Sequence, residues 1–371
     1  MTTTINNEHK KLNVPNLRFK EFQGEWEKCK IGDFGRIITG NTPPTKDIEN
    51  YENGQYLWVS PADLGLLKSV TETKTKLSKK GLDKTRVLPT GSILVTCIGS
   101  TIGKMGMTTK ETSTNQQINA IVVDKSNNNE FVYYAVQSAF PKYLSSIAVQ
   151  AVPIISKSSF ELLPNYRPSI QEQEKIGKLF ALIDERIATQ SKVIDKLQSL
   201  IKGIAYKSFQ AARETKPLLE FSPNITSGND KNGNGTIPLY GSTGIIGRVK
   251  NASHKGNIVL VARVGTIGTV QFVNEPCGVS DNALIVEASD MTKYIYHFLK
   301  TYNFVRITSG TTQPLITASS LKKIAIPIFD TDRQTRIVLC LNNLEKRHEI
   351  EKQYLSEIEK MKQYLLRQMF I

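Results

Sequence analysis

Cysteine, histidine and tryptophan are scarce in this chain, and the first two scarcities each remove a class of chemistry. Only four cysteines occur in 371 residues, Cys29, Cys97, Cys277 and Cys340. None stands in C-x-x-C spacing, so neither a zinc site nor a disulfide framework is indicated, and a reducing compartment is implied. The four histidines, His9, His254, His297 and His348, lie far apart, which argues against a metal site built from them. No apolar run approaches the roughly 18 residues of a membrane span. The N-terminal stretch Met1–Lys10 is polar and has no apolar signal core. A cytoplasmic protein without a membrane segment is expected.

Nucleotide and nucleophile signatures are missing as well. In Gly99-Ser100-Thr101-Ile102-Gly103-Lys104-Met105 three residues separate the glycines and Met follows Lys104. A phosphate loop needs four residues there, and Ser or Thr after the Lys. No G-x-G-x-x-G follows a strand. Asn41-Thr42-Pro43-Pro44 has the wrong order for the Asn-Pro-Pro-aromatic loop of adenine methyltransferases, and reads as a loop entering a domain. No ordered nucleophile and base stand out.

What is present is size, positive charge and repetition. A chain of this length suggests two or three domains, and 39% apolar with 22% charged residues is a globular composition. The net charge is +14. Residues 1–168 hold 21 Lys and Arg against 15 Asp and Glu, and residues 217–329 hold 10 against 6. Two separate basic blocks suit a polyanionic partner such as nucleic acid.

The segment 91–103 aligns without gaps on 256–268, with five of thirteen positions identical. Each copy reads as a buried β-branched strand feeding a glycine turn. Thr39-Gly40-Asn41 resembles Ser227-Gly228-Asn229. Residues 153–209 align on 314–370, with Pro153/Pro314, Ile155/Ile316, Ser158/Ser319, Ser159/Ser320, Gln173/Gln334, Ile176/Ile337, Arg186/Arg347 and Phe209/Phe370 identical. The order is head, helix, head, helix.

Both helices carry a heptad seam. In the first it runs Ile176, Phe180, Ile183, Ile187, Gln190, Ile194, Leu197, Ile201, Ile204 and Ser208. In the second it runs Ile337, Leu341, Leu344, His348, Glu351, Leu355, Ile358, Lys362, Leu365 and Met369, with polar interruptions at His348, Glu351 and Lys362. Sustained 3.5-residue periodicity favours a coiled coil over two helices each packed on its own domain. Each helix spans about 39 residues, near 58 Å at about 1.5 Å per residue, which suits a spacer. Antiparallel pairing is expected to set the heads at opposite ends of the rod.

Candidate nucleic-acid contacts follow from the basic runs. Lys74, Lys76, Lys79, Lys80, Lys84 and Arg86, interleaved with Thr71, Thr73, Thr75 and Ser78, suit phosphate contacts; the alternative is a solvated loop. Asn41, Thr42 and Lys104 join them. Gln116 and Gln117 carry amides able to read an adenine edge, or are polar residues beside a strand. In the second block Lys231, Arg248, Lys250, His254, Lys255 and Arg263 are the counterparts.

Local phrases in this frame carry a family resemblance. They are Trp26-Glu27-Lys28-Cys29-Lys30-Ile31-Gly32-Asp33, Thr39-Gly40-Asn41-Thr42-Pro43, Gly99-Ser100-Thr101-Ile102-Gly103, Gln116-Gln117-Ile118-Asn119-Ala120, Ile170-Gln171-Glu172-Gln173-Glu174-Lys175-Ile176 and Leu366-Arg367-Gln368-Met369-Phe370. Together they make the chain resemble the specificity subunits of type I restriction-modification enzymes. The resemblance implies a mixed α/β (α+β) fold with two target-recognition domains (1–168 and 213–329). Each has small β-sheets, and two long antiparallel coiled-coil helices (169–212 and 330–371) join them in a pseudo-twofold repeat. It implies recognition of a gapped double-stranded DNA target, with no catalytic site and no cofactor in this chain. Two modification subunits would bind S-adenosylmethionine and methylate adenine N6; restriction subunits would use ATP and Mg. The second head is short, and Asp330-Thr331-Asp332-Arg333-Gln334 lacks the Glu-Gln-Glu phrase of the first helix start. A stand-alone DNA-modifying enzyme and a coiled-coil scaffold that binds no DNA are the rival readings.

Overall fold

The computed structural model describes residues 13–65, 67–146, 154–310 and 314–371. The polar stretch Met1–Lys10 and Pro153 of the repeat lie outside the described residues. The chain divides into two compact units, residues 1–190 with 355–371, and residues 191–354. The division cuts both long helices.

The first unit comprises β1 (Glu27–Lys30), β2 (Gly35–Thr39), β3 (Tyr56–Val59), β4 (Ser69–Val70), β5 (Thr75–Leu77), α1 (Lys79–Asp83), β6 (Ile93–Thr96), β7 (Met105–Thr108), β8 (Thr112–Thr114), β9 (Ile118–Val123), α2 (Asn129–Ser146), α3 (Lys157–Glu161), β10 (Pro164–Arg167) and the first half of α4 (Ile170–Gln210). Five strands form one sheet in the order β2-β9-β6-β7-β4, and three form another, β5-β3-β8. The period of two along each strand sorts their side chains. Ile93, Val95 and Ile121 join the core that holds Phe131, Tyr134 and Phe180, whereas Leu94, Ile118 and Ala120 pack with Val59, Leu64 and Leu88. The central strands are therefore apolar on both faces, which is why β6 reads as an unbroken hydrophobic run.

The ends of the first head are zipped by β1 and β10, antiparallel, with Glu27 opposite Arg167 and their side chains paired at 2.9 Å. The start of α4 is clamped next to this ribbon. Glu172, 1% exposed, takes two hydrogen bonds from the Arg18 guanidinium (2.8 and 2.7 Å) and one from Trp26 Nε1 (3.3 Å). Gln173 donates to the Pro168 carbonyl and accepts from the Asn128 amide. Glu172 and Gln173 thus fasten helix to head.

The last turns of a second long helix, α7 (Thr331–Met369), complete this unit. The Phe370 ring lies 6.2 Å from Trp26, 5.6 Å from Phe131 and 5.7 Å from Phe180. Lys362 pairs with Asp184 at 2.6 Å, and Asp184 also accepts from the Tyr134 hydroxyl. Phe180 meets Phe370 while Asp184 meets Lys362, so the number falls along α7 as it rises along α4. The two helices are antiparallel there.

The second unit repeats the plan. It contains β11 (Glu214–Pro217), β12 (Thr226–Ser227), β13 (Ile237–Tyr240), β14 (Ile245–Val249), β15 (Ile258–Ala262), β16 (Val270–Val273), β17 (Gly278–Val279), β18 (Ala283–Val286), α5 (Thr292–Leu299), α6 (Ala318–Lys322), β19 (Ala325–Ile328) and the first half of α7 (Thr331–Met369). Its sheets run β12-β18-β15-β16 and β14-β13-β17, and β11 pairs with β19 as β1 does with β10. The second half of α4 closes it, with Phe209 5.4 Å from both Tyr294 and Phe298. Phe209 and Phe370, matched by the repeat, do the same work in the two units.

Backbone hydrogen bonds fix the correspondence of the repeats. Ile155 N donates to the Cys97 carbonyl and Ile316 N to that of Arg263, in agreement with the alignment of 153–209 on 314–370. The gapless pairing of 91–103 with 256–268 needs correction. Gly103 N donates to Thr96 O and Gly268 N to Ala262 O, while Thr96 stands opposite Ile118 and Ala262 opposite Ala283. Thr96 therefore corresponds to Ala262, not to Val261. The turn of the second head is one residue shorter, which shifts the strand by one.

Every seam position of both helices is buried or half-buried, including Gln190, Glu351 and Lys362. The frame thus continues through the polar positions of α7, where Lys362 is neutralised by Asp184 and Glu351 by Arg347. Among the described residues no helix is long and apolar enough to cross a membrane.

Candidate nucleic-acid interface

In each head the ends of three neighbouring strands collect loops at one edge of the larger sheet. In the first head these are the exit of β2, the entry of β9 and the exit of β6. Gly40 is required at the exit of β2, because a Cβ there would come within 2.2 Å of the Asn115 carbonyl; at Gly228 it would come within 2.1 Å of the Val279 carbonyl. The turn glycines Gly103 and Gly268 have φ of +89° and +79° and each faces a phenylalanine, Phe140 or Phe304, at 2.8 Å from a notional Cβ. The shared phrases are therefore set by backbone packing.

Polar side chains gather on this scaffold. Thr42 Oγ1 donates to Gln116 Oε1 at 2.6 Å, and Asn115 Nδ2 donates to Gln117 Oε1 at 2.9 Å. Asn41 Nδ2 donates to the Lys84 carbonyl, its Oδ1 accepts from Arg86 N, and Arg86 Nη1 donates to the Thr39 carbonyl. Asn41, Thr42, Lys84, Arg86, Gln116 and Gln117 thus converge from three stretches of sequence. The exposed Gln116 amide keeps its N–H donors, with its oxygen oriented by Thr42.

The basic run is largely self-neutralised. Lys76 pairs with Glu72, Lys79 with Asp83, Lys80 with Glu49 and Asp47, and Lys84 with Asp47. The hydrogen bond from Lys84 holds the Asp47 carboxyl below its ordinary pKa. The Lys74 ammonium has no partner among the described residues. Lys104 lies elsewhere, in a groove of about 1310 Å³ that it lines with Lys68, Asp184 and Lys362.

In the second head the candidates separate. Arg248 N donates to Asn232 Oδ1 and its Nη1 to the Thr236 carbonyl, which places it beside the loop of Lys231. Arg263 follows β15, where its N donates to the Asn282 carbonyl and its buried Nε has no partner among the described residues. Lys255 and His254 precede β15, in a crevice of about 340 Å³ where His254 Nδ1 meets Glu287 at 3.0 Å. Lys250 is exposed past the end of β14.

Sequence reading missed Asn282. Cys97 N donates to Gln117 O as Arg263 N does to Asn282 O, and Gln117 N donates to Asn115 Oδ1 as Asn282 N does to Ser280 Oγ. Asn282 is therefore the partner of Gln117 in the repeat. No identity marks it; only the hydrogen-bond register does. Among the described residues no group of three His, Cys, Asp or Glu is placed to hold a metal ion.

This duplicated geometry agrees with comparison to known proteins. The family described as "Type I restriction modification DNA specificity domain" matches residues 23–199 and again 217–360. The chain belongs to that family. Among similar proteins, the Type I restriction enzyme HindI specificity subunit of Haemophilus influenzae is 35% identical over 164 residues, 42% of this chain and 35% of that protein. The MjaIX specificity subunit of Methanocaldococcus jannaschii is 26% identical over 182 residues, 47% of this chain and 42% of that protein. The matched region thus spans less than half the length of these relatives. The crystal structure of a type I restriction-modification S subunit from M. genitalium superposes with a TM-score of 0.68 at 18% identity, covering 96% of this chain and 99% of that one. Specificity-domain chains thus share this fold well beyond the reach of sequence identity.

Proposed function

We propose that this chain reads a bipartite, gapped double-stranded DNA target, one half through each head, and positions enzymatic subunits on it. The observation that carries this reading is the duplicated edge, in which Gln116 and Gln117 in one head and Asp281 and Asn282 in the other occupy equivalent loops of separately basic heads. Loops of this kind, rich in amide and hydroxyl groups on a rigid sheet, suit base edges, and surrounding cations suit phosphates. Two modification subunits supply S-adenosylmethionine chemistry at adenine N6, and restriction subunits supply ATP-driven cleavage with Mg; this chain supplies address, not catalysis.

Exchange of residues 15–165 for the first head of another specificity subunit tests the proposal. Mapping of methylated adenines in cells expressing the chimaera with modification subunits is expected to show one changed half-site and one retained. Simultaneous change of both halves would overturn independent reading.

Within the first head, Lys74 and Lys80 are expected to differ. Lys74→Ala should reduce the slope of log affinity against log salt by roughly 0.9, the effect of one lost phosphate contact. Lys80→Ala, whose ammonium already lies between Asp47 and Glu49, should leave that slope nearly unchanged in the same titration.

A further inference from the structure

The hairpin of β13 and β14 presents bare apolar side chains where the rest of the second head's read-out edge is polar. Ile245 and Ile246 are 54% and 48% exposed. Successive residues of a strand face opposite sides, so neither side of the hairpin tip is covered. β14 is also an edge strand of its sheet. Exposed aliphatics on an edge strand invite aggregation, and proteins ordinarily blunt such edges with charge. Here the tip, Gly241-Ser242-Thr243-Gly244-Ile245-Ile246, has no charge at all.

The tip is nonetheless held in place. Gln271 Nε2 donates to the carbonyls of Gly241 (2.8 Å) and Ser242 (3.2 Å), and Gly241 N donates to Gly244 O. Ile246 folds over Gly241, where a Cβ would come within 2.9 Å of its side chain. Thr266 Oγ1 reaches the Ser242 carbonyl, so the hairpin stands against the turn that follows β15, at the same end of the sheet as Arg263 and Asn282. Cations lie along the same hairpin toward its base: Arg248, opposite Pro238, and Lys250 are exposed on and just past β14, and Lys231 is exposed in the loop beside Arg248. An uncharged apolar tip on a ribbon whose base carries cations matches the major groove, whose floor offers the thymine methyl and whose walls are phosphate. The groove, about 12 Å wide, admits a two-stranded ribbon. In the first head the chain leaving β3 does otherwise, since Ser60 and Asp63 close that turn with hydrogen bonds and put a carboxylate there.

We infer that Ile245 and Ile246 are specificity-determining residues that contact the 5-methyl group of a thymine in the half-site read by the second head. The inference rests on the DNA-reading function proposed above. Uracil pairs as thymine does but lacks that methyl, so it isolates the contact. Binding is measured for the chain assembled with its modification subunits, on duplexes in which each thymine of the methylated target is replaced singly by uracil. One replacement in the second half-site is expected to weaken binding by about three- to fivefold, the effect of losing one buried methyl. The Ile245→Ser or Ile246→Ser assembly should bind the thymine and uracil duplexes equally while keeping its discrimination in the first half-site. Equal binding of all duplexes by the unaltered assembly, a second half-site without thymine, or undiminished discrimination in both variants would overturn the inference. Loss of all sequence preference by the unaltered assembly would instead overturn the DNA-reading function itself.

Discussion

A seven-residue insertion in each long helix, one between Val193 and Ile194 and one between Tyr354 and Leu355, is expected to abolish methylation at the original target or to lengthen its preferred gap. These points lie close to where the chain passes between its two compact units, at 190/191 and 354/355. A heptad preserves the seam on both sides, since the a and d positions recur every seven residues. The added length is about 10 Å at roughly 1.5 Å per residue, equivalent to about 3 base pairs at about 3.4 Å each. That displacement also turns a half-site by close to 100° at about 10.5 base pairs per turn. Mapping of methylated adenines is the measurement, and full-rate methylation of the original target with its original gap would show that the helices do not set the spacing. A four-residue insertion at the same points breaks the frame at Ile194 and Leu355 and should destabilise the pair as well.

Phe370→Ala is expected to loosen the first head, some 200 residues away in sequence, by about 3–5 kcal/mol, the usual cost of emptying a buried phenylalanine site. The ring is 8% exposed and touches Trp26, Phe131 and Phe180, which belong to the head and to α4. Hydrogen exchange should accelerate in α2 and at the start of α4, with β15 and β18 unaffected. Phe209→Ala should do the reverse, loosening α5 through Tyr294 and Phe298. Exchange that accelerates equally in both units after either substitution would show that they do not open independently.

Much of the architecture was legible because it rests on periodicity. The seam of α7 keeps its frame across His348, Glu351 and Lys362, and the reason is chemical: carboxylate and cation partners, Asp184 for Lys362 and Arg347 for Glu351, make charged side chains tolerable at seam positions. The alignment through Ile155 and Ile316 agrees with the structure because each residue hydrogen-bonds to the end of a central strand. The gapless register of 91–103 on 256–268 fails by one residue because glycines flank both turns, so matching them end to end conceals a one-residue difference in length. The lysines of 74–84 looked free in sequence because two of their carboxylate partners, Asp47 and Glu49, lie some thirty residues upstream. Asn282 was invisible for a similar reason, since it shares a hydrogen-bond position with Gln117 and no residue type. Exposure of Ile245 and Ile246 was beyond sequence reading, as their run is indistinguishable from an ordinary buried strand.

The interleaving of the units has a consequence for how the protein is made. Residues 191–354 are contiguous, whereas the first unit needs residues 355–371 to cover Trp26, Phe131 and Phe180. A ribosome adding about 5–20 residues per second therefore releases everything the second unit requires before it releases the piece that finishes the first. The N-terminal half must wait, with part of its apolar core uncovered, for about 9 s at the faster of those rates and about 36 s at the slower. The usual order of domain completion during synthesis is inverted, and the vulnerable nascent species is the earlier-made head.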